Sequence, residues 1–160
     1  MSFENKLINK TLGFVMAILA IVLLTSCGSN QVRGEPPMVR LNELSHQDGA
    51  ITLELNMRNV NEAPLVLLAI DVKLLVDDNE LLSYKGSVNT DIVANGTESW
   101  SVDVSESDSS RELLTKLESG EAKSLPYSLK GSISSQDDGT LRFEHEGHIY
   151  PLPGRPGHFR

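Results

Sequence analysis

The chain has 160 residues and a formal net charge of −8 at pH 7, a size that suits one small domain. Aromatic residues make up only 5% of it, and an acidic chain repels phosphate backbones. We therefore expect no nucleic-acid partner. Cys27 is the single cysteine, so no internal disulfide can form and packing alone must hold the fold.

The first 26 residues have the pattern of a secretory signal peptide. Lys6 and Lys10 precede an unbroken apolar run over residues 12–24, and small residues follow directly before Cys27. A charged start, a short apolar segment and a small-residue cleavage site are typical of export signals. The run is short for a membrane span, which needs about 20 apolar residues. Residues 1–26 are therefore predicted to be a signal peptide, with an uncleaved signal anchor as the alternative.

The run LTSC over residues 24–27 resembles the lipobox of bacterial lipoproteins. The resemblance implies that lipid is attached to the Cys27 sulfur and that the signal is removed before this residue. Two or three acyl chains hold a protein firmly, since each buried CH₂ contributes about 0.8 kcal/mol. Gly28, in place of an aspartate, implies the periplasmic face of the outer membrane. Residues 27–37 are polar and rich in Gly and Pro, which predicts a flexible tether.

The body of the chain, residues 38–150, alternates apolar and polar residues between turn signals. This alternation runs over residues 51–57, 100–104, 125–133 and 141–143. The turn signals are Asp48-Gly49, Asn61 to Pro64, Asp77 to Asn79, Asn95-Gly96 and Asp138-Gly139. The pattern predicts half-buried antiparallel strands joined by tight turns. Residues 65–76 are more apolar and are predicted to form a central strand bent near Ala69, although their periodicity also allows a helix.

One short helix is predicted over about residues 109–119. Ser109 and Glu112 have the spacing of a capping box, and Gly120 suits the position just after a helix. Between them, Leu113, Leu114 and Leu117 form an apolar stripe that must pack on the sandwich. Seven or eight strands with one helix predict an all-β fold, an immunoglobulin- or fibronectin-III-like antiparallel β-sandwich.

The tail, residues 151–160, is rich in Pro and Gly and is predicted to be disordered. Arg155 and Arg160 make it locally basic, so a contact with anionic lipid or an acidic partner is the alternative.

Five motifs in chain order resemble those of the group-2 late embryogenesis abundant (LEA) proteins, which carry the water-stress-and-hypersensitive-response (WHy) domain. They are the strand and turn over residues 51–65 with Asn59 and Asn61, Tyr84-Lys85-Gly86 at a hairpin end, the turn at residues 94–97, the Leu-rich helix, and the strand LPYSLKG over residues 125–131. The family usually has proline where this chain has Val60. The resemblance implies that Asn59 and Asn61 shape a turn and have no catalytic role.

The resemblance implies a protective or binding role without catalysis. With the export signal, it predicts a stress-related module of the cell envelope that contacts other envelope proteins. The alternative is a dedicated subunit of a larger envelope complex, since sandwich edges accept partner strands.

No pattern in the sequence indicates an enzyme, a cofactor or a small-molecule substrate. His145 and His148 lie three residues apart, so on a strand they face opposite sides and do not converge on a metal ion. The acidic segments at residues 77–80 and 105–108 lack the ligand order of a calcium loop and are predicted to be turns, with weak cation binding as the alternative.

Overall fold

The computed structural model describes residues 34–160. The predicted signal peptide, Cys27 and the first part of the predicted tether, residues 27–33, lie outside the described residues. No helix within residues 34–160 has both the length and the apolar character needed to cross a bilayer.

Eight strands and one helix make up the described part of the chain. In chain order they are β1 (Met38–Gln47), β2 (Ala50–Arg58), β3 (Leu65–Val76), β4 (Asn79–Ile92), β5 (Thr97–Ser105), α1 (Asp108–Glu118), β6 (Leu125–Ser135), β7 (Gly139–Ile149) and β8 (His158–Phe159). The first sheet has the order β5-β2-β1-β8 and the second the order β4-β3-β6-β7, and neighbouring strands are antiparallel. The predicted all-β sandwich with one short helix is confirmed.

The strand registers give the sandwich two distinct ends. The N-terminal end comprises residues 34–38 and the turns at 59–64, 93–96 and 136–138. The helix end comprises α1 and the turns at 48–49 and 77–78. Aspartates supply the positive φ that the two-residue turns need, with φ of 53° at Asp48, 50° at Asp77 and 60° at Asp78. The predicted turns therefore form for the reason that the sequence suggested.

In strand β3, the buried positions change from odd-numbered to even-numbered residues part-way along the strand. Leu65 and Leu67 are buried, whereas after Ala69 the buried positions are the even-numbered ones from Ile70 to Val76. A bulge between Leu67 and Ala69 accompanies the change, because Leu68 is an extra residue relative to β6. The pairing with β4 shifts at the same place, but there the extra residue lies in β4. This irregularity lies next to Ala69, where the sequence predicted a bend. Leu68 is left 42% exposed as a consequence.

The helix forms at the predicted place but begins earlier than predicted. Its N-cap is Ser107, whose hydroxyl accepts a hydrogen bond from the Ser110 backbone N–H at 3.1 Å. The prediction of Ser109 as the cap is wrong, because the buried Ser110 hydroxyl must reach the Leu81 carbonyl of β4, at 2.6 Å. Glu112 does not cap the helix but pairs with Lys116 at 3.2 Å.

The helix packs and ends as its sequence indicates. Leu113, Leu114 and Leu117 are buried in the core. Gly120, with φ of 76°, donates its N–H to the Leu117 carbonyl just after the helix.

The prediction that residues 151–160 are disordered is wrong. Tyr150 and Arg160 exchange two backbone hydrogen bonds of 3.0 Å, and β8 pairs with β1 at Leu44 and Ser45. Phe159 is completely buried in the core. The Pro and Gly residues thus allow the chain to turn back tightly, and the side chain of Phe159 anchors the turn in the core.

Two smaller expectations also need correction. Tyr84-Lys85-Gly86 does not end a hairpin but lies inside the 14-residue strand β4, where the Tyr84 ring packs 5.5 Å from that of Trp100. The last residues of the predicted tether, 34–37, are fastened to the domain, and Pro37 is buried.

Gly131→Ala tests the packing of β6. A Cβ at this inward position would collide with the Asp71 carbonyl of β3 and with the Phe143 ring. We expect the free energy of unfolding, measured by urea denaturation, to fall by about 1–3 kcal/mol. The control, Ser132→Ala in the same strand, should change it by less than about 0.5 kcal/mol. Equal stability of Gly131→Ala and the wild type would contradict this packing.

Candidate functional site

Asn59 is buried at the N-terminal end, directly after the last residue of β2. Its exposure is zero, and its Nδ2 donates to the carbonyls of Ala63, Ile92 and Val93 at 2.8–3.2 Å. Its Oδ1 accepts hydrogen bonds from the backbone and side-chain amides of Asn61. One amide therefore joins the turn that follows β2 to the turn that follows β4.

Asn61 extends this network to the start of the described chain. Its Oδ1 accepts from the Glu35 backbone N–H at 2.7 Å, and its Nδ2 donates to the Glu35 carbonyl at 2.9 Å. The neighbouring Gly34 N–H donates to Asp138 Oδ1 at 2.7 Å. The two asparagines thus form hydrogen bonds within the fold, and together with Asp138 they fix where the chain enters the domain. Cys27, the predicted lipidation site, lies outside the described residues.

A second polar network lies at the helix end. The Glu106 side chain is only 2% exposed. Its Oε2 accepts a hydrogen bond from Arg111 Nε at 2.9 Å and forms an ion pair with Arg111 Nη2 at 2.8 Å. Its Oε1 lies 2.8 Å from His46 Nε2 but accepts no hydrogen bond from the described residues. The contact becomes an ion pair when His46 is protonated. This network ties the end of β1 to the start of α1.

A third network fastens the tail to β1. Arg155 donates to both carboxylate oxygens of Glu43 at 2.9 Å, and His158 Nδ1 lies 2.7 Å from Glu43 Oε1. Nδ1 also lies 3.0 Å from an Arg155 nitrogen, but one nitrogen cannot donate and accept at once, so we assign Nδ1–H as a donor to the carboxylate. The hydrogen bond from His158 is the main cause that lowers the pKa of Glu43; Arg155 lowers it further, and partial burial opposes both.

Sequence reasoning did not identify this third network. Glu43 and Arg155 are separated by 112 positions, and nothing in their local sequence marks them as partners. The one available signal was the basic character of the tail against an acidic body.

A tyrosine and a histidine pair on the inner side of the second sheet. Tyr127 is 9% exposed, and its hydroxyl lies 3.0 Å from His145 Nδ1. Burial raises the pKa of Tyr127 and lowers that of His145, and the positive charge of Arg40 lowers both. Both groups are therefore held neutral at pH 7, which suits a structural hydrogen bond.

His148 lines a depression on the second sheet near the helix end. The depression has a volume of about 420 Å³, and its lining includes Leu75, Asp78, Ser128 and Glu146. The buried Ser128 hydroxyl has no hydrogen-bond partner among the described residues. His145 does not line it but pairs with Tyr127. In residues 34–160, no group of three or more His, Cys, Asp or Glu side chains is placed to hold a metal ion.

Comparison with solved structures identifies proteins of similar fold. A protein from Arabidopsis thaliana, known from its solution structure, matches with a TM-score of 0.60 at 12% identity, over 83% of this chain and 94% of that one. A protein from Archaeoglobus fulgidus matches with a TM-score of 0.43 at 15% identity, over 71% of this chain and 95% of that one. A solution structure described provisionally as a late embryogenesis abundant protein matches with a TM-score of 0.44 at 13% identity, over 89% of this chain and 86% of that one.

The Arabidopsis match establishes a shared fold, whereas TM-scores below 0.5 are too low to add an argument. No protein-family model matches the chain, and no curated protein is significantly similar.

Asn59→Asp tests the buried amide network. The substitution keeps the shape of the side chain but replaces the donor Nδ2 with a carboxylate oxygen. The carbonyl oxygens of Ala63, Ile92 and Val93 repel this oxygen. We expect the free energy of unfolding, measured by urea denaturation at pH 7, to fall by about 2–4 kcal/mol. Asn79→Asp is the matched control, because Asn79 is exposed and donates to one carbonyl only. A loss of equal size in the two variants would contradict the role of Asn59.

Acid should release the tail through Glu43. The pKa of Glu43 is lower in the folded state, so its stabilising contribution is complete above the ordinary pKa of a glutamate. It is lost as the pH falls through the lowered value. At pH 7 we expect the free energy of unfolding of Glu43→Gln to be about 1 kcal/mol lower than that of the wild type, and the difference should shrink as the pH falls through the lowered pKa of Glu43.

Hydrogen exchange at the Arg160 amide, which bonds Tyr150, reports the tail directly. It should be faster in Glu43→Gln at pH 7, but unchanged in the control Glu144→Gln, whose partner is Lys130. A difference in stability that does not shrink on acidification would refute the assignment.

Proposed function

We propose that this protein is a non-catalytic, lipid-anchored module of the bacterial cell envelope. Its β-sandwich binds or shields other envelope proteins under stresses such as drying. The anchor is Cys27, and the domain faces the periplasm from the outer membrane. The pattern before Cys27 supports the anchor, and the order of the family motifs supports the role.

The observation that carries this proposal is where the reactive side chains are placed. Three of the four histidines contact a partner that fastens one element to another: His46 contacts Glu106, His145 contacts Tyr127 and His158 contacts Glu43. Catalytic sites need titratable groups that converge on a cavity open to substrate. These groups instead join strands, helix and tail, which supports a stable binding or shielding domain.

The fold supports the proposed family role but does not assign it. The Arabidopsis protein of the same fold shares only 12% identity with this chain. The link to stress protection therefore rests on the LEA and WHy motifs of the sequence, including the Asn59–Asn61 turn. That turn has Val60 in place of the usual proline, and its two asparagines hold it by five hydrogen bonds of their amides with Ala63, Ile92, Val93 and each other.

Cys27→Ala tests the anchor. We expect mass spectrometry of the wild-type protein from membranes to find Cys27 as the lipidated first residue, whereas Cys27→Ala should keep its signal and carry no lipid. A gene-deletion strain should then survive drying less well and accumulate more aggregated envelope protein than the wild type. The wild-type gene should restore both properties, and the Cys27→Ala gene should not. An unmodified Cys27 would refute the anchor, and indistinguishable strains would refute the protective role.

A second candidate is a dedicated subunit of a larger envelope complex. Residues Met38–Glu43 of β1 pair with β2 only, because β8 covers just Leu44 and Ser45. Among the described strands, β7 pairs with β6 only. Such edges can accept an extended segment of a partner. Affinity purification of the lipidated protein from membranes separates the candidates, since one stoichiometric partner favours the subunit and many weak partners favour shielding.

A further inference from the structure

The chain enters the domain at a fixed point. Hydrogen bonds from Gly34 to Asp138 and between Glu35 and Asn61, all of 2.7–2.9 Å, hold the first described residues against the N-terminal end. Asn61 is held in turn by the buried Asn59. The point at which a tether would pull on the domain is therefore part of the rigid fold.

Exposed apolar side chains gather toward the same end. Four large hydrophobic residues of the described chain are exposed: Val93 at 65% and Met38 at 42% belong to this end, and Leu68 at 42% lies a few residues into β3. Val93 lies in the turn after β4, Met38 begins β1, and Leu68 is the bulge residue near the start of β3. The fourth, Tyr150, follows β7 at the helix end. Single exposed hydrophobic residues are ordinary, so the feature that matters is their position: Val93 and Met38 lie at the same end as the tether point.

The tether length limits how far this end can stand from a lipid surface. Cys27 and Gly34 are seven residues apart, and seven residues reach at most about 25 Å when fully extended. A lipid on Cys27 therefore keeps the N-terminal end near the headgroups at a high effective concentration. At this effective concentration, lipid contacts that are too weak to bind a free protein to a membrane become occupied.

We propose that the N-terminal end is a membrane-contacting surface, on which Val93 and Met38 enter the headgroup region of a zwitterionic phospholipid layer while Leu68 lies at the margin. The proposal rests on the proposed lipid anchor and adds the orientation of the domain. Glu35, Glu62 and Asp137 are exposed at the same end and would be repelled by anionic lipid, so zwitterionic headgroups are the matching surface. The helix end and its depression then face away from the membrane.

A dye at Val93 tests this orientation. Lipidation occupies the sulfur of the only cysteine, so Val93→Cys in the full lipidated protein offers a single free thiol for the dye NBD. With the protein anchored in phosphatidylcholine vesicles, we expect the emission to shift to the blue and to rise at least about twofold over a detergent-free aqueous reference, because the dye leaves water. Lys123→Cys, exposed in the segment between α1 and β6, is the matched control and should keep an aqueous spectrum.

The outcomes separate the surface from the anchor. Protein that floats with the vesicles but keeps an aqueous spectrum at residue 93 retains the anchor and overturns the contact. Protein that does not float, or lacks lipid on Cys27 by mass spectrometry, overturns both. A blue shift that depends on protein concentration and not on lipid identifies a second copy as the occupant and overturns the membrane contact. Adding phosphatidylglycerol should reduce the shift and salt should restore it, and an increase would overturn the zwitterionic preference.

Discussion

The buried side chain of Asn59 is the interaction on which the N-terminal end depends. Three backbone carbonyls and a neighbouring asparagine surround an amide with no access to water, so each lost partner leaves a polar group unsatisfied. The turns after β2 and β4 both contact this residue, so it helps to fix the path of the chain between the first sheet and the second. The point where the chain enters the domain follows from the same network through Asn61 and Glu35.

The strands could be predicted from sequence because each has one solvent-exposed face and one buried face. Ile51, Leu53, Leu55 and Met57 alternate with polar residues and are all completely buried. The turns could be predicted because Asp, Asn and Gly tolerate positive φ. The tail could not, because its order depends on Phe159 filling a core built by distant strands and on Arg155 meeting Glu43. The start of α1 was misplaced for a similar reason, since a contact with β4 chose between neighbouring serines.

The proposed site was only partly accessible to sequence reasoning. Asn59 and Asn61 were recognised by motif, but their partners at residues 92 and 93 come from another turn. Cys27 is a predicted lipidation site, because the residues before it have the pattern of an export signal, and this pattern does not depend on the fold. The two kinds of evidence are independent: one concerns the sequence before the described residues, and the other concerns contacts within them, such as that of Gly34 with Asp138.

The bulge at Leu68 bears on how such proteins diverge. At the bulge, the buried positions of β3 change from odd-numbered to even-numbered ones. The core therefore requires apolar residues at odd positions before the bulge and at even positions after it, but it does not require particular apolar residues. Substitutions that keep the phase should accumulate freely, whereas the loss or gain of one residue in β3 should be rare. We therefore expect homologues to be hard to detect by residue identity but easy to align by the positions of their buried hydrophobic residues, which is consistent with a shared fold at 12% identity.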